Sequence, residues 1–134
     1  MRVRISRCVV ELIQRAAEAA APDEACGLLF DADGAIGAAS VEANVAANPL
    51  THFEIDPAAL FAAIRAERGG GQRVAGYWHS HPSGDAAPSK TDAAMAAPDG
   101  RLWLIVAGEA VTGWRALENG ARHGRFEAVE LAVT

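Results

Sequence analysis

Cysteine is nearly absent from this chain: Cys8 and Cys26 are the only two among 134 residues. A structural zinc site closed by four thiolates is therefore excluded. One disulfide is the most that could form, and nothing in the spacing favours it. Both cysteines read instead as small buried apolar residues, Cys8 within an amphipathic helix. Aromatic residues make up only 6%, and the hydrophobic share of 51% is inflated by alanine. The core must therefore lean on a few large side chains, Tyr77, Trp78, Trp103 and Trp114 among them. No apolar run reaches the roughly 18 residues of a membrane span. No continuous apolar stretch follows the first charged residues, so a secretory signal is not expected and the cytoplasm is.

Basic runs are missing too. The net charge is −5, from 12 basic against 17 acidic residues, so neither nucleic-acid nor membrane partners are expected. Gly69-Gly70-Gly71 has no following Lys-Ser or Lys-Thr and reads as a flexible connection rather than a phosphate cradle. No Gly-x-Ser-x-Gly elbow is present. The zinc-deaminase pair of His-x-Glu with Pro-Cys-x-x-Cys is absent as well. The length suits one domain, spanning 1–134, and is too short for two.

What the chain does have is concentrated in residues 79–92, His-Ser-His-Pro-Ser-Gly-Asp-Ala-Ala-Pro-Ser-Lys-Thr-Asp. Two histidines, His79 and His81, and one carboxylate, Asp92, form the three-ligand set of a catalytic zinc with its fourth position open. The preceding 72–78 segment is apolar and partly aromatic, as in a buried strand. Residues i and i+2 of a strand share a face with Cα atoms roughly 6.6 Å apart, so both imidazoles converge on one ion. Pro82 ends the strand, and the loop to Pro88 swings the chain back. Ser89-x-x-Asp92 is at the same time a capping-box-like pattern that opens a short helix. The two readings are compatible, since a capped residue can still present a ligand atom.

Periodicity and turn residues supply the remaining elements. Residues 6–21 read as a helix with Ser6 as N-cap and Val9, Leu12, Ile13 and Ala16 as its apolar stripe. Strands are expected at 25–30 and 35–44, around a turn at 31–34. A helix opens at Asp56-Pro57 and runs to about Arg68, with Leu60, Phe61 and Ile64 inward. Further strands are expected at 72–80, 102–107, 111–118 and 124–131. His52 and His123 stand alone and read as surface or packing residues.

The motif His79-Ser80-His81-Pro82, then Ser89 and Asp92 after a seven-residue spacer, resembles the zinc motif of the JAMM (MPN-plus, Mov34/Pad1) metallopeptidases. Upstream, Glu24-Ala25-Cys26-Gly27-Leu28-Leu29 is similar to the family's Glu-x-Cys-Gly-[Leu/Phe]-Leu strand. Asn48-Pro49, Phe53-x-Ile55-Asp56-Pro57 and Leu102 to Val106 extend the likeness over nearly the whole chain. The resemblance implies a mixed α+β fold, with helices flanking a curved, largely antiparallel sheet on a plan like that of cytidine deaminases. It implies one zinc per chain, held by His79, His81 and Asp92.

A general base must take a proton from the attacking water, and the residues alone leave Glu11, Glu18, Glu24, Glu42 and Glu54 open. The resemblance selects Glu24. Ser89 would donate a hydrogen bond to the oxyanion. The short chain looks like the stand-alone prokaryotic members, which implies cleavage after the C-terminal Gly-Gly of a ubiquitin-like, β-grasp sulfur-carrier protein. Two other readings stand beside this one. A non-catalytic MPN scaffold would lack one or more ligands. A RadC-like protein of the DNA-repair group shares His-x-His-Pro-Ser-Gly-Asp-x-x-Pro-Ser-x-x-Asp, but would carry a helix-hairpin-helix region and lack Glu24-Ala25-Cys26-Gly27.

Overall fold

The computed structural model describes residues 1–134. Its elements are β1 (Arg2–Ile5), α1 (Arg7–Ala20), β2 (Cys26–Ala32), β3 (Ala35–Ala39), α2 (Pro57–Arg68), β4 (Val74–Ser80), α3 (Lys90–Met95), β5 (Leu102–Ala107), β6 (Ala110–Gly120) and β7 (Gly124–Val133). The strands close into a barrel in the order β1-β3-β2-β4-β5-β6-β7. Four of the pairings are antiparallel, while β1–β3, β1–β7 and β4–β5 are parallel. The mixed α+β class and the largely antiparallel sheet agree with the sequence. The closure is new, and β1 provides it. Helix α1 follows its cap: the Ser6 hydroxyl accepts from the Cys8 N–H at 3.2 Å. No helix is long and apolar enough to cross a membrane.

Alternation along the strands divides the apolar side chains into two clusters. The inner one joins Val3, Ile5, Leu29, Ile36, Trp78, Leu102, Leu104 and Val106 to Val9 and Ile13 of α1. The outer one gathers Cys26, Leu28, Phe53, Ile55, Trp103 and Phe126. β5 is buried along its whole length because both faces are covered. Trp78 closes the inner core by donating its indole N–H to the Ser40 carbonyl at 2.8 Å. A Cβ at residue 27 would collide with both partners of that bond, which is why glycine stands there. The β2–β3 turn is tighter than expected, with Asp33 and Gly34 at φ +52° and +77° as in a two-residue hairpin loop.

Several expectations need correction. Leu12 is 37% exposed, so the α1 stripe is narrower and rests on Val9 and Ile13. Cys8 is exposed rather than buried. In α2, Leu60 packs on the outer cluster, but Phe61 is 61% exposed, with the Arg65 guanidinium 4.9 Å above its ring. The strand expected at 35–44 ends at Ala39 and continues only as isolated bridges, Cys26 to Glu42 and Asn44 to Ile55.

Candidate metal centre

Strand register assembles the site. β2 and β4 run antiparallel with Cys26 opposite His79, which brings Glu24, two residues earlier, level with His81, two residues later. Ser80 fastens that junction: its hydroxyl accepts from the Ala25 N–H at 2.8 Å, and its own N–H donates to the Ala25 carbonyl at 3.0 Å. β4 and β5 are parallel, so the chain between them must cross over, and that crossover carries Ser89 and α3. The site therefore lies where the carboxyl end of β4 meets the start of β2.

His79 is fully buried, with its ring stacked on Phe53 at 4.3 Å and set edge-on to Trp103 at 5.6 Å. Its Nε2 lies 3.0 Å from His81 Nε2. Asp92 faces both rings, Oδ1 being 3.2 Å from His79 Nε2 and Oδ2 3.1 Å from His81 Nε2. Ligand atoms about 2.0–2.1 Å from a tetrahedral zinc stand roughly 3.3 Å from one another, so this triangle fits the ion. His81 Nδ1 sits 2.7 Å from the Asp85 carbonyl, which accepts only, so Nδ1 donates and the neutral ring turns its Nε2 lone pair to the centre. Three electron-rich atoms facing one another need a cation or protons between them. Glu24 and the two histidines also offer ligand atoms within 4.8 Å of one another, and Glu24 Oε1 is buried with no hydrogen-bond partner.

Residues 6–120 match the family described as prokaryotic homologs of the JAB domain. The chain belongs to that JAB (JAMM) family. It is similar to a desampylase of Haloferax volcanii, 37% identical over 99 residues that span 70% of this chain and 71% of the relative. A Desulfitobacterium hafniense protein solved in solution superposes with a TM-score of 0.79, 24% identity and coverage of 100% of this chain and 93% of the other. A JAB1/MPN domain protein from Archaeoglobus fulgidus does so with a TM-score of 0.62, 23% identity and 98% coverage of each chain. At those identities the two structures speak for the JAB fold alone.

Within this JAB domain the electrostatics follow from burial. Burial raises Asp92, but hydrogen bonds from His79 and His81 outweigh it and hold the carboxyl far below the usual range. Burial drives His79 down. Burial also pushes His81 down, but the bonds to Asp92 and the Asp85 carbonyl more than reverse it, so this ring ends above its ordinary value. Glu24 is 6% exposed, and burial pushes it up to about 7, with His81 pulling down and Asp92 adding to the rise. Cys26 is pushed up to about 12 by burial and by Glu42 and Glu24, so its thiol stays protonated and is no nucleophile.

All five residues singled out from the sequence meet here. Ser89 is the cap of α3: its hydroxyl accepts from the Asp92 N–H at 3.0 Å, and Asp92 Oδ2 accepts from the Ser89 N–H at 3.0 Å. The hydroxyl proton itself takes part in no hydrogen bond within the protein. His52 and His123 stay outside, bonded to Thr51 and to the Pro88 carbonyl. Sequence reasoning missed Ser80, read only as a spacer, although its inward place on a strand was a signal. It also missed Asn44, whose amide donates to the Glu24 and His52 carbonyls at 2.9 Å and whose oxygen accepts from Ala46 and Glu54. That residue ties the Glu24 backbone to the segment bearing Phe53, and no sequence pattern announced it.

Proposed function

We propose that this chain, a JAB-family zinc metallopeptidase, hydrolyses the peptide or isopeptide bond after the C-terminal Gly-Gly of a ubiquitin-like, β-grasp sulfur-carrier protein. The observation that carries the reading is the His79–His81–Asp92 triangle set beside a buried carboxylate poised near neutrality. A silent scaffold has no use for so many desolvated donors in one place. The 37% identity to a desampylase supports a ubiquitin-like substrate.

His79, His81 and Asp92 would hold the zinc, which when bound supplies Lewis acidity and makes water a nucleophile near pH 7. Glu24 takes the water proton as oxygen attacks the carbonyl carbon, then delivers it to the departing amine as the C–N bond breaks. Ser89 donates a hydrogen bond from its uncommitted hydroxyl to the developing oxyanion and keeps its proton. Glu24, His79, His81 and Asp92 are all buried, so only a slender tail reaches them, and two glycines with no side chains fit that demand.

The test is a β-grasp carrier extended beyond its terminal Gly-Gly, incubated with zinc-loaded protein beside a Gly-Gly→Ala-Ala control. Cleavage after the second glycine of the first carrier alone is expected. Equal cleavage of both would overturn the narrow tail site, and cleavage of neither would remove this substrate class.

A further inference from the structure

The stretch 82–88 that leaves β4 is neither helix nor strand, yet side chains hold three of its carbonyls. The Asp85 carbonyl accepts from His81 Nδ1 at 2.7 Å. The Ala86 carbonyl accepts from the Thr112 hydroxyl at 2.6 Å. The Pro88 carbonyl lies 3.1 Å from His123 Nε2 and accepts its proton. Surface loops usually leave such groups to water, so donors converging from three parts of the fold mark a stretch whose position is fixed. Thr112 is itself oriented: its oxygen accepts from Trp114 Nε1 at 3.0 Å, which turns the hydroxyl proton toward Ala86 and polarises the bond.

The sheet explains why β6 supplies this clamp. His79, Ile105 and Thr112 occupy one register row across β4, β5 and β6. Thr112 and Trp114, two residues apart, share a face, and Trp114 packs on the outer cluster to which Phe53 and Trp103 beside His79 belong. At the β6–β7 turn His123 adopts φ +52° and reaches the carbonyl just before Ser89.

We infer that Thr112, Trp114 and His123 are positioning residues of the metal centre, fixing the loop that sets the His81 ring and delivers Ser89 and Asp92. The inference rests on the zinc-site reading above, since those ligands are what the loop places. Asp85, whose carbonyl orients His81, adjoins the Ala86 anchor, and Ser89 adjoins the Pro88 anchor. A loop freed at either anchor shifts a ligand and the oxyanion donor together. Partners behind metal ligands are worth about 10–100-fold in affinity or activity, and a misplacement of about 1 Å costs on the order of 10²-fold in rate.

The experiment compares full-length Thr112→Val, Trp114→Phe, His123→Leu and His123→Gln, the last returning an N–H near the position of Nε2. Zinc affinity is measured by chelator competition, kcat and KM at saturating zinc, and the melting midpoint in parallel. Thr112→Val and His123→Leu are expected to weaken zinc about 10-fold and lower kcat about 10-fold or more with KM nearly constant. Trp114→Phe should fall in the same direction: it removes the indole N–H together with part of the ring but leaves the Thr112 hydroxyl in place, and so serves should the valine variant fail to fold. His123→Gln should recover most of the loss. Lower melting points with unchanged zinc affinity and kcat would reduce the three residues to structural ones, and equal losses in His123→Gln and His123→Leu would remove the hydrogen bond from the account. If the native enzyme cleaves no extended carrier, the substrate proposal falls while the zinc measurements still decide the clamp.

Discussion

Glu24 is held in a place that suits chemistry better than stability. Burial raises its carboxyl to about 7, so it is half-ready to accept a proton at neutral pH. As a base it works only when ionised, so kcat/KM should fall on the acid side. A zinc ion beside Glu24 favours its carboxylate, so that limb lies below the metal-free value of about 7, and a pH–rate profile reads it directly. Glu24→Gln should retain zinc and lose on the order of 10²–10⁴-fold in rate. A variant with full zinc and near-native activity would move the base elsewhere. The same raised value means that the folded, metal-free protein binds this proton more tightly than the unfolded chain. Its contribution is therefore favourable below the unfolded value and is lost as pH rises through about 7. Metal-free Glu24→Gln should accordingly be more stable than native protein at pH 9, by up to about 3 kcal/mol, and no different near pH 4. Urea titrations at the two pH values test the difference. Ser89 joins two roles in one hydroxyl, which caps α3 while its proton stays uncommitted. Ser89→Ala should cost roughly 0.5–2 kcal/mol of stability as a lost cap. If Ser89 also serves the oxyanion, kcat falls about 10²–10³-fold with zinc content unchanged. Full activity in a destabilised variant would leave it a cap alone. His79, His81, Ser89 and Asp92 were legible because one local segment with fixed spacing carries them. Glu24 stood out only through the likeness of its segment to the family's strand, and its chemistry alone could not choose it among the glutamates. Its approach depends on the β2–β4 register, in which Ala25 bonds to Ser80, 55 positions away.

At the scale of the element, caps and periodicity were readable where one face dominates. Helix α1 has its Ser6 cap and a clear inward side, and the sequence placed both Val9 and Ile13 correctly. Helix α2 has its Asp56 cap and Pro57 start, but it touches the outer cluster only through a narrow side at Leu60 and Ala63. Adjacent residues on a helix point about 100° apart, so a narrow contact that takes Leu60 leaves Phe61 outside. A sequence marks both as apolar and says nothing of the width of the contact. The two positions should therefore respond very differently to truncation. Ile13→Ala opens a cavity in the inner core and is expected to cost about 2–5 kcal/mol. Phe61→Ser gives up only an exposed ring and its contact with Arg65, about 1 kcal/mol or less. Urea midpoints of the two variants check the contrast, and a large loss at Phe61 would show that this ring is covered in solution.

The whole molecule depends on a strand too short to announce itself. β1 has four residues of alternating exposure and pairs in parallel with β7, with Arg2 bonded to Glu130 at 3.1 Å, 128 positions away. No local pattern could reveal that partner, so the sequence suggested a curved sheet where the chain closes a barrel. Closure separates stability from chemistry. The inner apolar cluster with α1 includes none of the proposed zinc ligands, of which His79 lies beside Phe53 and Trp103 of the outer cluster. Metal should therefore reinforce this fold rather than create it, unlike small zinc domains that unfold without their ion. Free zinc at about 1,000 times its dissociation constant stabilises the native state by about 4 kcal/mol, and removal gives that up. In a domain of this size the loss lowers the melting midpoint by something on the order of 10–20 °C. Chelator-treated protein should keep its far-ultraviolet circular dichroism at 25 °C, melt at the lower temperature, and recover on addition of zinc. Unfolding on chelation would show that the core cannot stand alone. An unmoved midpoint would show that His79, His81 and Asp92 bind no zinc in the native fold.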